Sequence, residues 1–167
     1  LTIITGQAVK ASRMVEVVGR QVGNRDVVEQ AAIAGLFNTA VFTNDEAATY
    51  LAKRLEAMAS ILEKGWEGRI ENTAHGRAMV VQRRLRGITE RHVIDQRIIN
   101  LFEAQQLDQM AGHLQSHYSK AAQFRFGAQT MEINGPTELA QTVFQTGRKG
   151  AQIARYKGLG EMNPSQL

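Results

Sequence analysis

The first half of the chain carries apolar residues at helical spacing. Met14, Val18 and Val22 recur at every fourth position, which predicts an amphipathic helix over 7–22. The pair Gly23-Asn24 ends this helix, and the Ala-rich segment RDVVEQAAIAGLF begins a second one. The β-branched segment LTIIT at 1–5 predicts a strand that Gly6 ends.

A third helix has the clearest signals. Thr43 and Glu46 have the spacing of a capping box, in which each side chain satisfies a free backbone N–H group. Gly65 stands where a C-terminal cap belongs. The apolar stripe between them consists of Ala47, Leu51, Leu55, Met58 and Leu62.

The hydrophobic period changes to two after Trp66. Met79, Val81 and Leu85 alternate with polar residues, which predicts a strand. The dipeptide Arg86-Gly87 predicts a tight turn into a second strand, ITERHVI, and residues 69–72 predict an outer strand.

Helices and hairpins alternate in the remainder. Asp95 predicts the cap of a helix that runs to Phe102, and a second helical stripe follows. Its members are Leu107, Met110, Ala111, Leu114 and Tyr118. The segments FRF and TMEI predict a hairpin around Gly127-Ala128, with Phe124 opposite Met131.

The last elements are a helix, a strand and a turn. Pro136 opens the helix because Pro needs no N–H at a first helical position, and this helix runs to Gly147. AQIARY then predicts a short strand, and KGLGEMNP predicts a Gly-rich turn. The fold class is therefore α+β: a helical first half, then β-hairpins alternating with helices, ending in a strand and a Gly-rich turn.

Composition narrows the class of protein. The 167 residues, 43% hydrophobic and 22% charged, suit a globular chain with a core. No apolar run approaches the roughly 20 residues that span a bilayer, so no membrane partner is expected. The absence of Cys excludes disulfides and thiolate zinc sites and agrees with a cytoplasmic location. The chain begins at Leu1 without a secretory signal, which suggests a piece of a longer protein.

Basic residues concentrate on the first predicted hairpin. Four of them, Arg83, Arg84, Arg86 and Arg91, are opposed nearby only by Glu90 and Asp95. Arg84 and Arg86 are two residues apart and so share one surface of a strand, from which they can contact DNA phosphates. The alternative is a solvated edge hairpin whose charges discourage strand pairing with another molecule.

Catalytic and metal-binding patterns are missing from the sequence. His113 and His117 share one helical face, but a zinc site needs at least three protein ligands and no third one is near. The sequence contains no grouped pair of carboxylates for acid–base chemistry, no Gly-x-Ser-x-Gly elbow and no Walker-type loop. We therefore predict no catalytic residue and no metal ligand.

The closing segment RYKGLGEMNP has the features of a phosphate-contacting loop. Gly158 and Gly160 let backbone N–H groups approach a phosphate, while Arg155 and Lys157 bring positive charge. Shortly before it, Arg148 and Lys149 add charge, and no acidic residue lies between Arg148 and Lys157.

The same segment carries a family resemblance. RYKGLGEMNP closely resembles the signature near the end of the TOPRIM region in B subunits of bacterial DNA gyrase, which are type IIA topoisomerases. GRKG just before it also looks like the gyrase pattern. VVEQAAIAGLFN is similar to a helical segment in the insertion that many Gram-negative gyrase B subunits carry inside this region. The topoisomerase IV subunit has a similar motif but generally lacks so large an insertion, which favours gyrase.

The resemblance implies a division of the chain. Residues 1–150 would form the insertion, helical over about 7–65 and mixed over about 66–150, and residues 151–167 would return to the TOPRIM region. The family's acidic motifs, Glu-Gly-Asp-Ser and Asp-x-Asp, do not occur here, and Ser165 stands where Glu is expected. The tyrosine that attacks DNA belongs to the other subunit.

The resemblance also implies a function. The intact enzyme would use ATP and Mg²⁺ to introduce negative supercoils into DNA as an A2B2 assembly with the A subunit of DNA gyrase, and this segment would be non-catalytic. Its expected contacts are with DNA, with the A subunit, or with both, and Lys157 is expected nearest the cleaved DNA. The candidate DNA-contacting residues are Arg148, Lys149, Arg155, Lys157, Gly158, Gly160, Arg84 and Arg86. The alternative is a structural module that buttresses neighbouring domains.

Overall fold

The computed structural model describes residues 3–118, 122–126, 129–146, 153–157 and 160–161. Its α-helices are α1 Ile3–Val22, α2 Arg25–Ile33, α3 Glu46–Met58, α4 Gln96–Ile99, α5 Phe102–Gln109, α6 Ala111–Tyr118 and α7 Pro136–Thr146. Short 3-10 helices lie at Thr39–Phe42 and Ile61–Glu63. Its strands are β1 Glu67–Thr73, β2 Gly76–Leu85, β3 Ile88–Ile94, β4 Ala122–Phe126, β5 Gln129–Ile133, β6 Ile153–Lys157 and β7 Gly160–Glu161. The predicted α+β class is confirmed.

Helix α1 corrects the first prediction, because Ile3–Thr5 form its first turn and not a strand. The helix buries a stripe spaced by three and four residues, and packing of such a stripe outweighs the β preference of a short segment. Gly6 does not break the helix, and a Cβ there would meet nothing within 4 Å. The buried stripe consists of Ala8, Ala11, Val15, Val18 and Val22.

Helix α2 begins as predicted after Gly23-Asn24. Gly23 has a φ of 96°, and the Asn24 side chain accepts a hydrogen bond from the backbone N–H of Val27. Residues 27–33 are all buried, so this helix lies inside the molecule. The small Ala side chains of this helix suit its burial among other elements.

The start of α3 differs from the predicted capping box. Thr43 ends the preceding 3-10 helix, while the Asn44 side chain accepts from the backbone N–H of Glu46 at 2.9 Å. Asp45 is the N-cap, but its carboxylate accepts from the backbone N–H of Ile70 in β1 at 2.8 Å. This link ties the start of α3 to the sheet.

The end of α3 also differs from the prediction. The helix stops at Met58, before Leu62, which is 89% exposed in the following 3-10 helix. Gly65 is not the cap of this helix, because Ala59 is its C-cap. The backbone N–H of Gly65 instead donates to the Glu56 carboxylate at 2.8 Å. Leu51 and Leu55 are buried as the stripe predicts.

Strands β1, β2 and β3 form an antiparallel sheet in that order. The predicted turn at Arg86-Gly87 and the outer strand over 69–72 are both confirmed. Met79 and Val81 belong to the main core, and Ala78 and Val80 on the opposite face are buried as well. Gly68 lies against the backbone of α3, at the carbonyl oxygen of Ala48.

Asp95 caps α4 as predicted, accepting from the backbone N–H groups of Arg97 and Ile98. The helix ends at Ile99 and not at Phe102, because Leu101 is extended, with a ψ of 140°. The predicted stripe that follows is divided between α5 and α6, and Met110 is the C-cap of α5.

A second antiparallel sheet has the order β5-β4-β6-β7. The predicted pairing of Phe124 with Met131 is confirmed, while Gly127-Ala128 lies outside the described residues. Helix α7 begins at Pro136 as predicted, and the buried Glu29 carboxylate of α2 accepts from its Thr137 N–H at 2.9 Å.

One apolar cluster joins α1, α2, α3, α5, α6 and α7 to the inner face of the first sheet. It therefore crosses the predicted boundary at about residue 66, and the division into a helical and a mixed part stays a prediction. No helix in the described part of the chain is both long and apolar enough to cross a membrane.

Candidate nucleic-acid interface

The hairpin of β2 and β3 extends beyond the rest of its sheet. Glu67, the first residue of β1, pairs with Gln82, so the later residues of β2 pair only with β3. These last pairs are Arg83 with Glu90, Arg84 with Thr89, and Leu85 with Ile88. Residues 83–90, called the ribbon below, thus form a two-stranded projection.

The turn of the ribbon is tight. Arg86 has a φ of 53° and Gly87 a φ of 80°, the consecutive positive values that a two-residue type I′ turn requires. Arg86 adopts a conformation that Gly or Asn tolerates better than a long side chain. The structure therefore places an arginine at the tip in spite of a local conformational cost.

Arg83 fixes the base of the ribbon and is not available to a ligand. Its Nε donates to Glu90 at 2.9 Å, its Nη1 donates to the Glu63 carbonyl at 2.9 Å, and its Cζ lies 4.5 Å from the Trp66 ring centroid. The side chain is only 14% exposed. These contacts hold the ribbon against the 3-10 helix and Trp66.

Glu90 and His92 complete this anchor. Burial opposes ionisation of Glu90, but the hydrogen bond and charge of Arg83, together with His92, outweigh it and hold the pKa of Glu90 below its usual value. His92 Nε2 lies 3.5 Å from the Glu90 carboxylate, and His92 Nδ1 lies 3.3 Å from the Val22 carbonyl. The anchor therefore reaches the end of α1.

The four arginines of the predicted basic hairpin have different roles. Arg83 is held as above, and Arg91 pairs with Glu71 at 2.9 Å, where Arg69 also binds at 2.7 Å. Arg84 and Arg86 are exposed, and neither pairs with a carboxylate among the described residues. The charge that this hairpin offers to a partner comes from Arg84 and Arg86.

The other predicted DNA-contacting residues lie at the end of the chain. Arg148, Lys149 and Gly158 fall outside the described residues. Arg155 and Lys157 lie in β6 and Gly160 in β7, where Lys157 pairs with Gly160 and Arg155 with Phe124 of β4. The two candidate groups therefore belong to different sheets.

Sequence reasoning missed two features. Ile88, at the tip of the ribbon, is 72% exposed although it follows the apolar alternation of a strand. Arg54 of α3 joins two other helices, donating to the Gln30 side chain at 2.9 Å and to the Tyr118 carbonyl at 3.0 Å. The position of Ile88 directly after the Gly87 turn was the available signal, because a turn residue has few neighbours to bury it.

Among the described residues, the histidine pair of α6 has no third residue with which to form a metal site. The rings of His113 and His117 lie 4.4 Å apart between centroids, and burial lowers the pKa of His113. In the part of the chain that the structure describes, no three His, Asp or Glu side chains are grouped to hold a metal ion.

Comparison of the sequence with known proteins relates the chain to a class of enzymes. No family model matches the chain. Its relatives include B subunits of topoisomerases, among them the type 2 topoisomerase B subunit of Aquifex aeolicus, which is 41% identical over 51 residues. That match covers 30% of this chain and 6% of the Aquifex protein.

Over most of the chain the similarity is to the B subunit of DNA gyrase. Identity is 38% over 140 residues with the Caulobacter vibrioides protein and 28% over 164 residues with that of Rickettsia prowazekii. These matches cover 84% and 98% of this chain but only 16% and 20% of the relatives. Most of the chain is thus homologous to a segment of DNA gyrase B subunits.

Proposed function

We propose that the chain is a non-catalytic segment from the B subunit of a gyrase-type enzyme and that it contacts DNA through the ribbon. One observation carries the proposal: Arg84 and Arg86 are exposed on a projecting hairpin of a chain homologous to DNA gyrase B subunits. Such side chains neutralise phosphates and fix the geometry of a complex without reading sequence.

The anchor supports this proposal because it orders the ribbon before DNA arrives. Arg83, Glu90 and Trp66 hold the base in one arrangement. A pre-ordered contact loses less conformational entropy on binding than a flexible one. We infer that Arg83 is a positioning residue and that Arg84 and Arg86 contact phosphate.

The closing segment is proposed as a second DNA contact. Its candidates are Arg148, Lys149, Arg155, Lys157, Gly158 and Gly160. The insertion in the TOPRIM region and the return over 151–167 belong to the same proposal. Its support is the sequence motif RYKGLGEMNP together with the homology to gyrase B subunits.

The activity of the whole enzyme is also part of the proposal. The parent would supercoil DNA in the cytoplasm, using ATP and Mg²⁺ in an A2B2 assembly with the A subunit of DNA gyrase. Among the described residues no group fits a metal ion, and we assign none of the ATP or Mg²⁺ chemistry to them.

The test is DNA affinity as a function of salt. We expect the wild-type chain to bind a plain duplex with a log–log salt slope of about −3 or steeper, as roughly three or more phosphate contacts require. Arg84→Glu/Arg86→Glu should lose most of this affinity and flatten the slope. Arg155→Glu/Lys157→Glu tests the closing segment in the same way.

The matched control is Lys10→Glu/Arg13→Glu, which makes the same change in net charge at two exposed positions of α1. This variant should bind with a salt slope close to that of wild type. If the control loses as much affinity as the ribbon variant, general charge explains the binding and the ribbon does not.

A structural buttress is the second candidate. Ile61 and Leu62 are 88% and 89% exposed, side by side in a 3-10 helix, and such adjacent apolar residues suit contact with another protein surface. Failure of the wild-type chain to bind DNA at low salt would favour this candidate.

A further inference from the structure

We propose that Ile88 is an apolar wedge that enters the minor groove of duplex DNA and separates neighbouring base pairs. The proposal rests on the proposed DNA contact of the ribbon and adds a specific residue and a specific deformation to it. The observation behind it is an isoleucine that is 72% exposed within two residues of Arg86, at the tip of a projecting hairpin.

The shape of the ribbon fits a groove. It is two strands wide, and paired strands of this kind can occupy a DNA groove. The Leu85–Ile88 pair lies two residue steps beyond the Arg83–Glu90 pair at the base, which at about 3.4 Å per residue is a distance of about 7 Å. The minor groove is roughly 7.5 Å deep, so the tip can reach the base edges while the base stays near the backbone.

The two faces of the ribbon carry different side chains near the tip. Leu85 and Ile88 form the last pair and share the face of Arg83 and Glu90, whereas Arg84 and Thr89 lie on the other face. Glu90, the acidic residue of the ribbon, is held by Arg83 and does not oppose the tip cations. Arg86 adjoins the apolar pair in the turn, and Arg84 carries charge on the opposite face. Minor-groove proteins combine basic side chains with an apolar residue that unstacks a base step.

These surroundings favour DNA over a protein partner. The centres of protein–protein interfaces are depleted in charge, whereas the short ribbon that carries Ile88 also carries the exposed Arg84 and Arg86. The more typical apolar pair for a protein contact, Ile61 and Leu62, lies outside the ribbon. The tight Arg86-Gly87 turn also presents Ile88 on a short, ordered support.

The experiment uses the full chain and a 30-base-pair duplex that contains several TA steps and carries a donor and an acceptor dye at its ends. Energy transfer reports bending, and permanganate reactivity of thymines reports unstacking wherever it occurs. We expect wild type to raise both signals. Ile88→Ala should keep the salt slope, bind about tenfold more weakly because less apolar surface is buried, and lose both signals.

Two further variants sharpen the result. Ile88→Met retains an apolar tip and should retain the thymine reactivity. Ile61→Ala/Leu62→Ala removes apolar residues outside the ribbon that are even more exposed than Ile88, and this variant should behave as wild type. Since all these positions are exposed, none of the changes disturbs the core.

The wedge is overturned if wild type binds without bending or unstacking DNA, or if Ile88→Ala keeps both signals. It is also overturned if Ile61→Ala/Leu62→Ala abolishes them equally. The proposed DNA contact fails separately, when Arg84→Glu/Arg86→Glu binds as wild type does. Both proposals are overturned if the wild-type chain does not bind the duplex at low salt.

Discussion

At the scale of single residues, two glycines lie where an added Cβ would force a neighbour to move. A Cβ on Gly68 would overlap the backbone carbonyl of Ala48 in α3, and a Cβ on Gly135 would overlap the carboxylate of Glu29. The first contact sets the distance between α3 and the first sheet, and the second sets that between α2 and the loop before α7. Neither position differs from other glycines in the sequence alone.

Gly68→Ala should destabilise the chain by about 1–3 kcal/mol, because backbone atoms cannot rotate away from the added methyl group. Urea unfolding followed by the fluorescence of Trp66 measures this change. Gly112→Ala in α6 is the matched control, since nothing lies within 4 Å of its Cβ and Ala favours a helix by roughly 0.5–1 kcal/mol. Equal stability of Gly68→Ala and wild type would contradict the close contact of β1 with α3.

Glu29 should make stability depend on pH. Burial raises the pKa of its carboxyl above the ordinary 4.5, and contacts with Thr137 offset only part of this. The folded chain therefore keeps the proton to a higher pH than the unfolded chain does. The resulting stabilisation is fully present below the unfolded pKa and is lost as pH rises through the folded pKa.

Glu29→Gln removes this titration but keeps an oxygen that can accept from the Thr137 N–H. We expect the free energy of unfolding of Glu29→Gln, minus that of wild type, to increase as pH rises from about 4.5. The difference between variants is the proper measure, because Glu90 and Asp95 have lowered pKa values and act in the opposite direction in both. A difference that does not change with pH would contradict the raised pKa of the buried Glu29 carboxyl.

At the scale of elements, the ribbon depends on contacts that are distant in sequence. Arg83 joins β2 to Glu63 and Trp66, and His92 joins β3 to the end of α1. Trp66 is the single tryptophan of the chain, so its fluorescence reports this anchor directly.

Arg83→Ala should lower stability by about 1–3 kcal/mol, since it removes charge-assisted hydrogen bonds from a mostly buried site. It should also shift the Trp66 emission to longer wavelength and increase its quenching by acrylamide. Arg84→Ala, one position along the strand and exposed, should change stability by less than about 0.5 kcal/mol. Similar behaviour of the two variants would show that Arg83 does not anchor the ribbon.

Sequence patterns correctly predicted the elements that depend on interactions between residues close together in the chain. The Arg86-Gly87 turn, the Asp95 cap and the pairing of Phe124 with Met131 were all visible in the sequence. The strand predicted over LTIIT and the Thr43–Glu46 capping box were wrong, because long-range packing decided them. Asp45, for example, binds Ile70, which is 25 residues away.

The candidate DNA-contacting site was also predicted only in part from the sequence. Charge density identified the hairpin, but it could not separate Arg83 and Arg91, which have acidic partners, from the exposed Arg84 and Arg86. The exposure of Ile88 was indicated only by its position directly after the Gly87 turn, because an apolar residue in an alternating segment otherwise predicts core.

At the scale of the whole molecule, contacts between distant segments unite the described parts. Helix α1 packs against α2, α5 and α7, so the beginning of the chain meets an element near its end. Arg54 adds a polar link from α3 to Gln30 of α2 and to the end of α6. The helical and mixed parts predicted from the sequence therefore share one core.

A shared core predicts one cooperative unfolding transition. Trp66 fluorescence reports the first sheet and far-UV circular dichroism reports mainly the helices, so the two urea midpoints should coincide. Glu29→Ala, which perturbs the contact of α2 with α7, should shift both midpoints by the same amount because the sheet unfolds with the helices. Separate midpoints, or a shift in circular dichroism alone, would instead support two domains that meet near residue 66. In that case the ribbon would be carried by a unit that folds independently of α1 and α2.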